Sequence, residues 1–197
     1  MKKGLLITIG IVVVLVIILY SFFVGRQNEM VTKEEGVSSQ WAQVETQYQR
    51  RADLIPNLVS TVKGYADFEK STLTQVIEAR AKATSVNIDA SSLTPEKIKQ
   101  FQAAQDQLSS SLSRLLVVAE QYPNLKANQN FLDLQAQLEG TENRIAVARK
   151  DFNESVKDFN QYIRRFPNNM LAGLYGFSVK GYFQSAAGSE NAPKVTF

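Results

Sequence analysis

The sequence predicts an all-α protein, an N-terminal transmembrane helix followed by an elongated antiparallel bundle of three to four helices. Three observations lead there. Leu5 to Val24 is a twenty-residue run without a charge, interrupted only by Thr8, Gly10, Tyr20 and Ser21. Beyond Glu29 apolar residues recur at steps of seven, the spacing of one helix face. Proline occurs only at positions 56, 95, 123, 167 and 193, and so punctuates long uninterrupted segments. With 197 residues, the chain has room for one modest domain and one extra segment.

The apolar run comes first. At about 1.5 Å per residue it spans the roughly 30 Å hydrocarbon layer of a bilayer. A cleaved signal peptide is the competing reading, but its apolar core is shorter, about 7–15 residues, and Ser21-Phe22-Phe23-Val24-Gly25 offers no small-residue cleavage site. Residues 1–25 are therefore read as a single-pass anchor. Lys2 and Lys3 face Arg26 and Lys33 across it, and the positive-inside rule leans towards a cytoplasmic N-terminus. Residues 26–197 are then expected outside the cytoplasm, in a periplasm where the cell has one.

The extramembrane part, 26–169, reads as three helices. In the first, roughly Glu29 to Ala83, Trp41, Tyr48, Ile55 and Val62 fall seven apart, and Val44, Ala52, Leu58, Val59, Ala66, Leu73, Val76 and Ile77 fill the same broad face. Thr84 to Leu93 lacks periodicity and reads as a loop. Thr94-Pro95-Glu96 restarts a helix, with Thr94 as N-cap and Pro95 at the first position. Phe101, Leu108, Leu115 and Tyr122 form one column of that second helix, with Ile98, Leu112 and Ala119 beside it, and Pro123 ends it. The third, about Gln129 to Phe166, carries six apolar positions spaced seven apart: Phe131, Leu138, Ile145, Phe152, Phe159 and Phe166. Loops of about ten and six residues return such helices antiparallel to one another. Their predicted lengths, roughly 80, 40 and 57 Å, make a rod standing away from the membrane, its first helix either starting near Glu29 or continuous with the anchor.

The end of the chain changes character. Met170 to Phe177 is too short to span a bilayer, and Tyr182-Phe183 follow Gly181. Residues 170–185 are thus an apolar, glycine-punctuated tail, and 186–197 read as disordered.

The segments QRRADLIPNLVSTVKGYADFEKSTL (Gln49–Leu73) and EQYPNLKANQNFLDLQAQLEGTENRIAVARKDFN (Glu120–Asn153), with the ending Phe166-Pro167-Asn168-Asn169, closely resemble the bacterial LemA family. The resemblance covers the chain from the anchor to about Phe183. It implies an N-terminal single-pass anchor in the bacterial inner membrane and an extramembrane four-helix bundle. The fourth element comes either from splitting the first helix at Pro56 or from the short tail.

Composition removes most chemistry. The chain has no cysteine and no histidine, which excludes thiol nucleophiles, disulfides, the Ser-His-Asp triad and the usual zinc and haem ligands. Ser109, Ser110, Ser111 and Ser113 have no GxSxG elbow, SxxK motif or phosphate loop beside them. No enzyme, cofactor or metal is expected. The net charge of +3 gives no nucleic-acid footprint.

Three polar or apolar groupings remain as candidate sites. Arg51, Asp53, Pro56 and Asn57 mark a kink: Pro56 deletes the bond to the Ala52 carbonyl, at about 3 kcal/mol, with Asn57 placed to satisfy the freed group and Arg50 or Arg51 to pair with Asp53. Glu139, Glu142, Asn143, Arg149, Asn153 and Asn160 line the edge of the apolar stripe as a polar ladder that fixes register. Arg144 lies among them. Leu171, Leu174, Tyr175, Phe177, Tyr182 and Phe183 crowd apolar area into the tail. That area packs across its own bundle, or it docks on a neighbouring copy or on lipid. The partners expected are the bilayer, further copies of the chain in a homo-oligomer, and a membrane protein held by the bundle face. The favoured reading is a non-catalytic, self-assembling envelope scaffold; an adaptor for a specific membrane protein is the alternative.

Overall fold

A computed structural model describes residues 2–64 and 69–185. The expectations for 186–197 and for Ala66 fall outside those residues. Six α-helices follow in order: α1 (Lys2–Lys63), α2 (Lys70–Ser85), α3 (Pro95–Ala119), α4 (Pro123–Lys126), α5 (Gln129–Arg164) and α6 (Asn168–Tyr175). There is no strand among the described residues.

The first helix takes the continuous alternative at its start and departs from expectation at its end. It does not begin near Glu29, because the apolar run is continuous with it, and its 62 residues make a shaft of about 93 Å. It does not reach Ala83 either. The chain leaves the helix after Lys63 and re-enters at Lys70, so that α2 runs back along α1. This reversal, and not Pro56, supplies the fourth helix. The helical phase is reset across it, which puts Ile77 on the exposed side. α3 then rises antiparallel to α2, with Arg114 donating to Gln75 and Lys82 to Gln107, and α5 descends the full length of the bundle. Thr94 and Asn128 cap α3 and α5 by accepting from Lys97 N–H and Phe131 N–H.

The core has two parts. In the far half Ile55, Leu58 and Val62 of α1, Leu73 and Val76 of α2, Leu108 and Leu115 of α3 and Phe131, Leu134 and Leu138 of α5 pack together. In the near half, next to the apolar segment, Trp41 is surrounded by Phe101, Phe152 and Phe183 at ring distances of 5.2, 5.5 and 6.1 Å. Met30, Val37, Val156, Phe159, Ile163, Leu171 and Ala172 are among the other members of that cluster.

Five of the six α5 column residues are buried, as the heptads require. Phe166 is the exception, 80 % exposed. The helix stops at Arg164 and Arg165 is extended, so Phe166 no longer follows the heptad phase.

Candidate functional site

The polar residues of the ladder do not act as one row. Asn160 and Asn153 each clamp the backbone of the tail. Asn160 donates from Nδ2 to the Lys180 carbonyl and accepts the Lys180 N–H, both at 2.9 Å. Asn153 does the same with Phe183, again at 2.9 Å each way. The spacing has a simple cause. Seven helical residues advance about 10.5 Å, and three extended residues advance about 10 Å. A heptad of asparagines on α5 therefore matches a three-residue repeat on a strand-like segment.

Two further groups close the clamp. Gln102 of α3 exchanges a pair of hydrogen bonds with the Gln184 backbone, at 2.9 and 3.0 Å, and Arg149 donates to the same carbonyl at 2.9 Å while covering the Phe183 ring at 4.8 Å. Residues 177–185 thus lie in the groove between α3 and α5. The path is tight at Gly181, whose N–H donates to the Leu93 carbonyl. A Cβ there would stand 2.7 Å from Pro95 Cα. Lys180 is buried, and its ammonium meets Glu34 at 2.6 Å and the face of Phe159 at 5.7 Å.

This answers the open question of the tail for part of its apolar set. Leu171 and Phe183 belong to the core of their own bundle, and Tyr175 and Phe177 pack half-buried against it. These four are not free for a neighbouring copy. Leu174, 77 % exposed, and Tyr182 remain outside. Gly176, at φ +81°, closes α6 and turns the chain into the extended segment.

The kink motif is rearranged as well. Arg51 does not pair with Asp53. It is buried in the centre of the bundle, donating to Ser109 and Glu142 at 2.7 Å each and to the Gln105 side chain at 2.6 Å. Its guanidinium lies 5.0 Å from the Tyr48 ring. Gln105 in turn reaches the Ala83 carbonyl of α2, so one network touches four helices at the junction of the two cores. Asp53 instead accepts from Gln49 at 2.7 Å. Asn57 does not serve the carbonyl freed by Pro56. Arg80 of α2 does, donating from Nε to the Ala52 carbonyl at 2.8 Å, and α1 continues through the proline.

Asp53 and Asn57 line an open groove of about 1040 Å³ with Glu45, Gln49, Arg50 and Thr84. Partial burial raises the Glu45 carboxyl above its ordinary range, the Trp41 indole opposes this and the charge of Asp89 adds to it. Burial also raises Tyr48. Glu139 accepts from Gln135, and Asn143 lines a shallow surface cleft with Arg144. Among the described residues no three His, Cys, Asp or Glu side chains converge as a metal site would require.

Sequence reasoning did not find Arg80, Gln102, Gln105 or Lys180. The one signal available was the heptad repeat of Asn153 and Asn160 behind core phenylalanines.

Fold and site together define a class: an antiparallel helical bundle built on a first helix with an apolar head long enough to cross a membrane, closed by a clamped tail. The chain belongs to the LemA family, whose model matches residues 40–197. It is 26 % identical over 165 residues to Protein LemA of Metamycoplasma hominis, covering 82 % of this chain and 72 % of that one. It is 27 % identical over 176 residues to Magnetosome protein MamQ 2 of Paramagnetospirillum magneticum, covering 81 % of this chain. Magnetosome protein MamQ of Magnetospirillum gryphiswaldense is 26 % identical over 175 residues, 80 % of this chain. The chain spans 65 % and 64 % of those two magnetosome proteins.

Proposed function

We propose that the chain works without catalysis, as a helical scaffold anchored in the bacterial inner membrane and assembled side by side with further copies of itself. The observation that carries this reading is α1, one helix running from the apolar segment through both cores. Such a shaft fixes the attitude of the bundle to its anchor, and copies sharing an anchor plane meet at high effective concentration. Arg51, Asn153, Asn160 and Lys180 are engaged in holding helices and tail together. The names of the relatives state no reaction. The lysines before the apolar segment favour a bundle outside the cytoplasm.

Extraction in mild detergent followed by mass determination and imaging tests this. A particle of many copies is expected. A monomer at every concentration rejects assembly. A single partner at fixed stoichiometry supports the adaptor reading instead, for which the groove around Asp53 and Asn57 is the natural docking place.

A further inference from the structure

We infer that α6 and residues 164–166 before it form a second membrane contact, lying in the headgroup boundary of the leaflet from which α1 emerges. The inference rests on the anchoring proposed above. Its first support is height. Arg51 lies against Glu142 and Trp41 against Phe152, so α1 and α5 keep one antiparallel register. Continued downward, that register sets Arg164 at the level of Glu29. The bundle covers α1 as far as Val24, which is half-buried, while Leu5 to Phe23 are exposed. Val24 is also where the apolar run ends. Glu29 stands five residues, roughly 7.5 Å, above it, and the headgroup layer is about 5–7 Å deep on each side. The lower end of the bundle and the membrane surface therefore coincide.

The second support is chemistry. α6 buries Asn168, Leu171 and Ala172 against the bundle, yet its other face is not polar. Met170 is 68 % and Leu174 77 % exposed, and Phe166, in the connection before α6, is 80 % exposed. Met170 and Leu174 stand one turn apart on the exposed face of α6, and Phe166 adds a third large apolar side chain just before the helix, at the level of a bilayer edge. Arg164 and Arg165 are exposed beside them, without an ion pair among the described residues. An apolar stripe flanked by free guanidinium groups suits an anionic lipid surface, where apolar groups enter the acyl boundary and cations meet phosphates.

The natural absence of cysteine makes the test direct. Single-cysteine variants of the full chain at Val14, Val117, Met170 and Leu174 are labelled with an environment-sensitive fluorophore. They are then reconstituted in vesicles of phosphatidylcholine and phosphatidylglycerol, with and without brominated acyl chains. Probes at Met170 and Leu174 are expected to shift to the blue and to be quenched by brominated lipid, as is Val14, while the Val117 probe at the far end is not. Phe166→Asp with Arg164→Gln and Arg165→Gln should abolish quenching at Leu174 and leave it at Val14. Quenching at Val14 with none at Met170 and Leu174 overturns the docking alone. Absence of quenching at Val14 overturns the anchor and the docking with it. A blue shift at Leu174 without lipid quenching assigns the stripe to protein, a second copy or residues 186–197, and also overturns the proposal.

Discussion

The far half of the bundle and the near half face the same burial problem with different fourth members. In the far half α1, α3 and α5 are joined by α2, and aliphatic residues such as Leu58, Val76, Leu115 and Leu138 fill the centre. In the near half α2 has ended, and the place is taken by the tail, an extended segment whose backbone has no hydrogen-bonded ladder of its own. A helix can be packed in a groove on apolar contacts alone, because its backbone is satisfied internally. An extended segment cannot, since each unmet buried N–H or C=O costs about 1–3 kcal/mol. The near half accordingly contains the asparagine and glutamine clamps, and the far half does not need them. The aromatic residues follow the same logic: a thin extended segment leaves more volume than a helix, and Trp41, Phe101, Phe152 and Phe183 occupy it.

The comparison can be broken most forcefully through the cores. Phe152→Ala should destabilise the bundle by about 4 kcal/mol, the middle of the range for an aromatic cavity, and Leu115→Ala by about 3 kcal/mol, both read from denaturant melts of the whole chain. If the halves are coupled, each variant shows one shifted transition. Two separate transitions would make them independent units.

The coupling itself sits at Arg51. Glu142→Ala removes the countercharge, but the Glu142 side chain is 44 % exposed and water can replace it in part, so the loss should be about 2 kcal/mol, whereas Arg51→Met, which removes the buried charge and keeps the volume, should cost clearly less. Equal losses in the two variants would show that packing, not charge, matters at the junction.

A smaller effect, and a local one, is expected from the clamps. Asn153→Ala and Asn160→Ala should each cost about 1–2 kcal/mol. Hydrogen exchange should accelerate at Lys180 and Phe183 and not at Leu73 or Leu115. Acceleration throughout would mean that the tail governs the far half as well.

The smallest effect concerns pH. Burial raises the Glu45 carboxyl from its ordinary value of 4.5, so the folded protein binds that proton more tightly than the unfolded chain. The stabilisation tied to this proton is complete below about 4.5 and is lost as pH rises through the raised value. Glu45→Gln should therefore raise the thermal midpoint at neutral pH, and the gain should vanish in acid.

How far the sequence revealed this architecture depends on the range of the interactions. Heptad columns report one helix face from local spacing, and Trp41, Ile55, Leu108, Phe131 and Phe152 are core for that reason. The Thr94-Pro95 start of α3 was equally legible, since a cap acts within one turn. The reversal after Lys63 was obscured because apolar spacing in α2 resembles a continuation of α1. The partners of Asn153 and Asn160 lie 30 and 20 residues away, and no periodicity within α5 encodes a segment that runs beside it. Pro56 shows the same limit: the lost bond follows from its chemistry, but the donor that replaces it belongs to another helix.

The uninterrupted α1 has a rotational consequence. Each residue of an α-helix turns the chain by about 100°, so a helix shared by anchor and bundle acts as a keyed shaft. Inserting one alanine between Val24 and Met30 would swing the entire bundle by about 100° and lift it only about 1.5 Å; inserting seven would restore the facing almost completely and lift it about 10.5 Å. Azimuth and height at the membrane can in this way be varied separately in the same protein, and whichever neighbour or surface the bundle addresses must be sensitive to one in steps of a single residue and to the other in steps of a heptad.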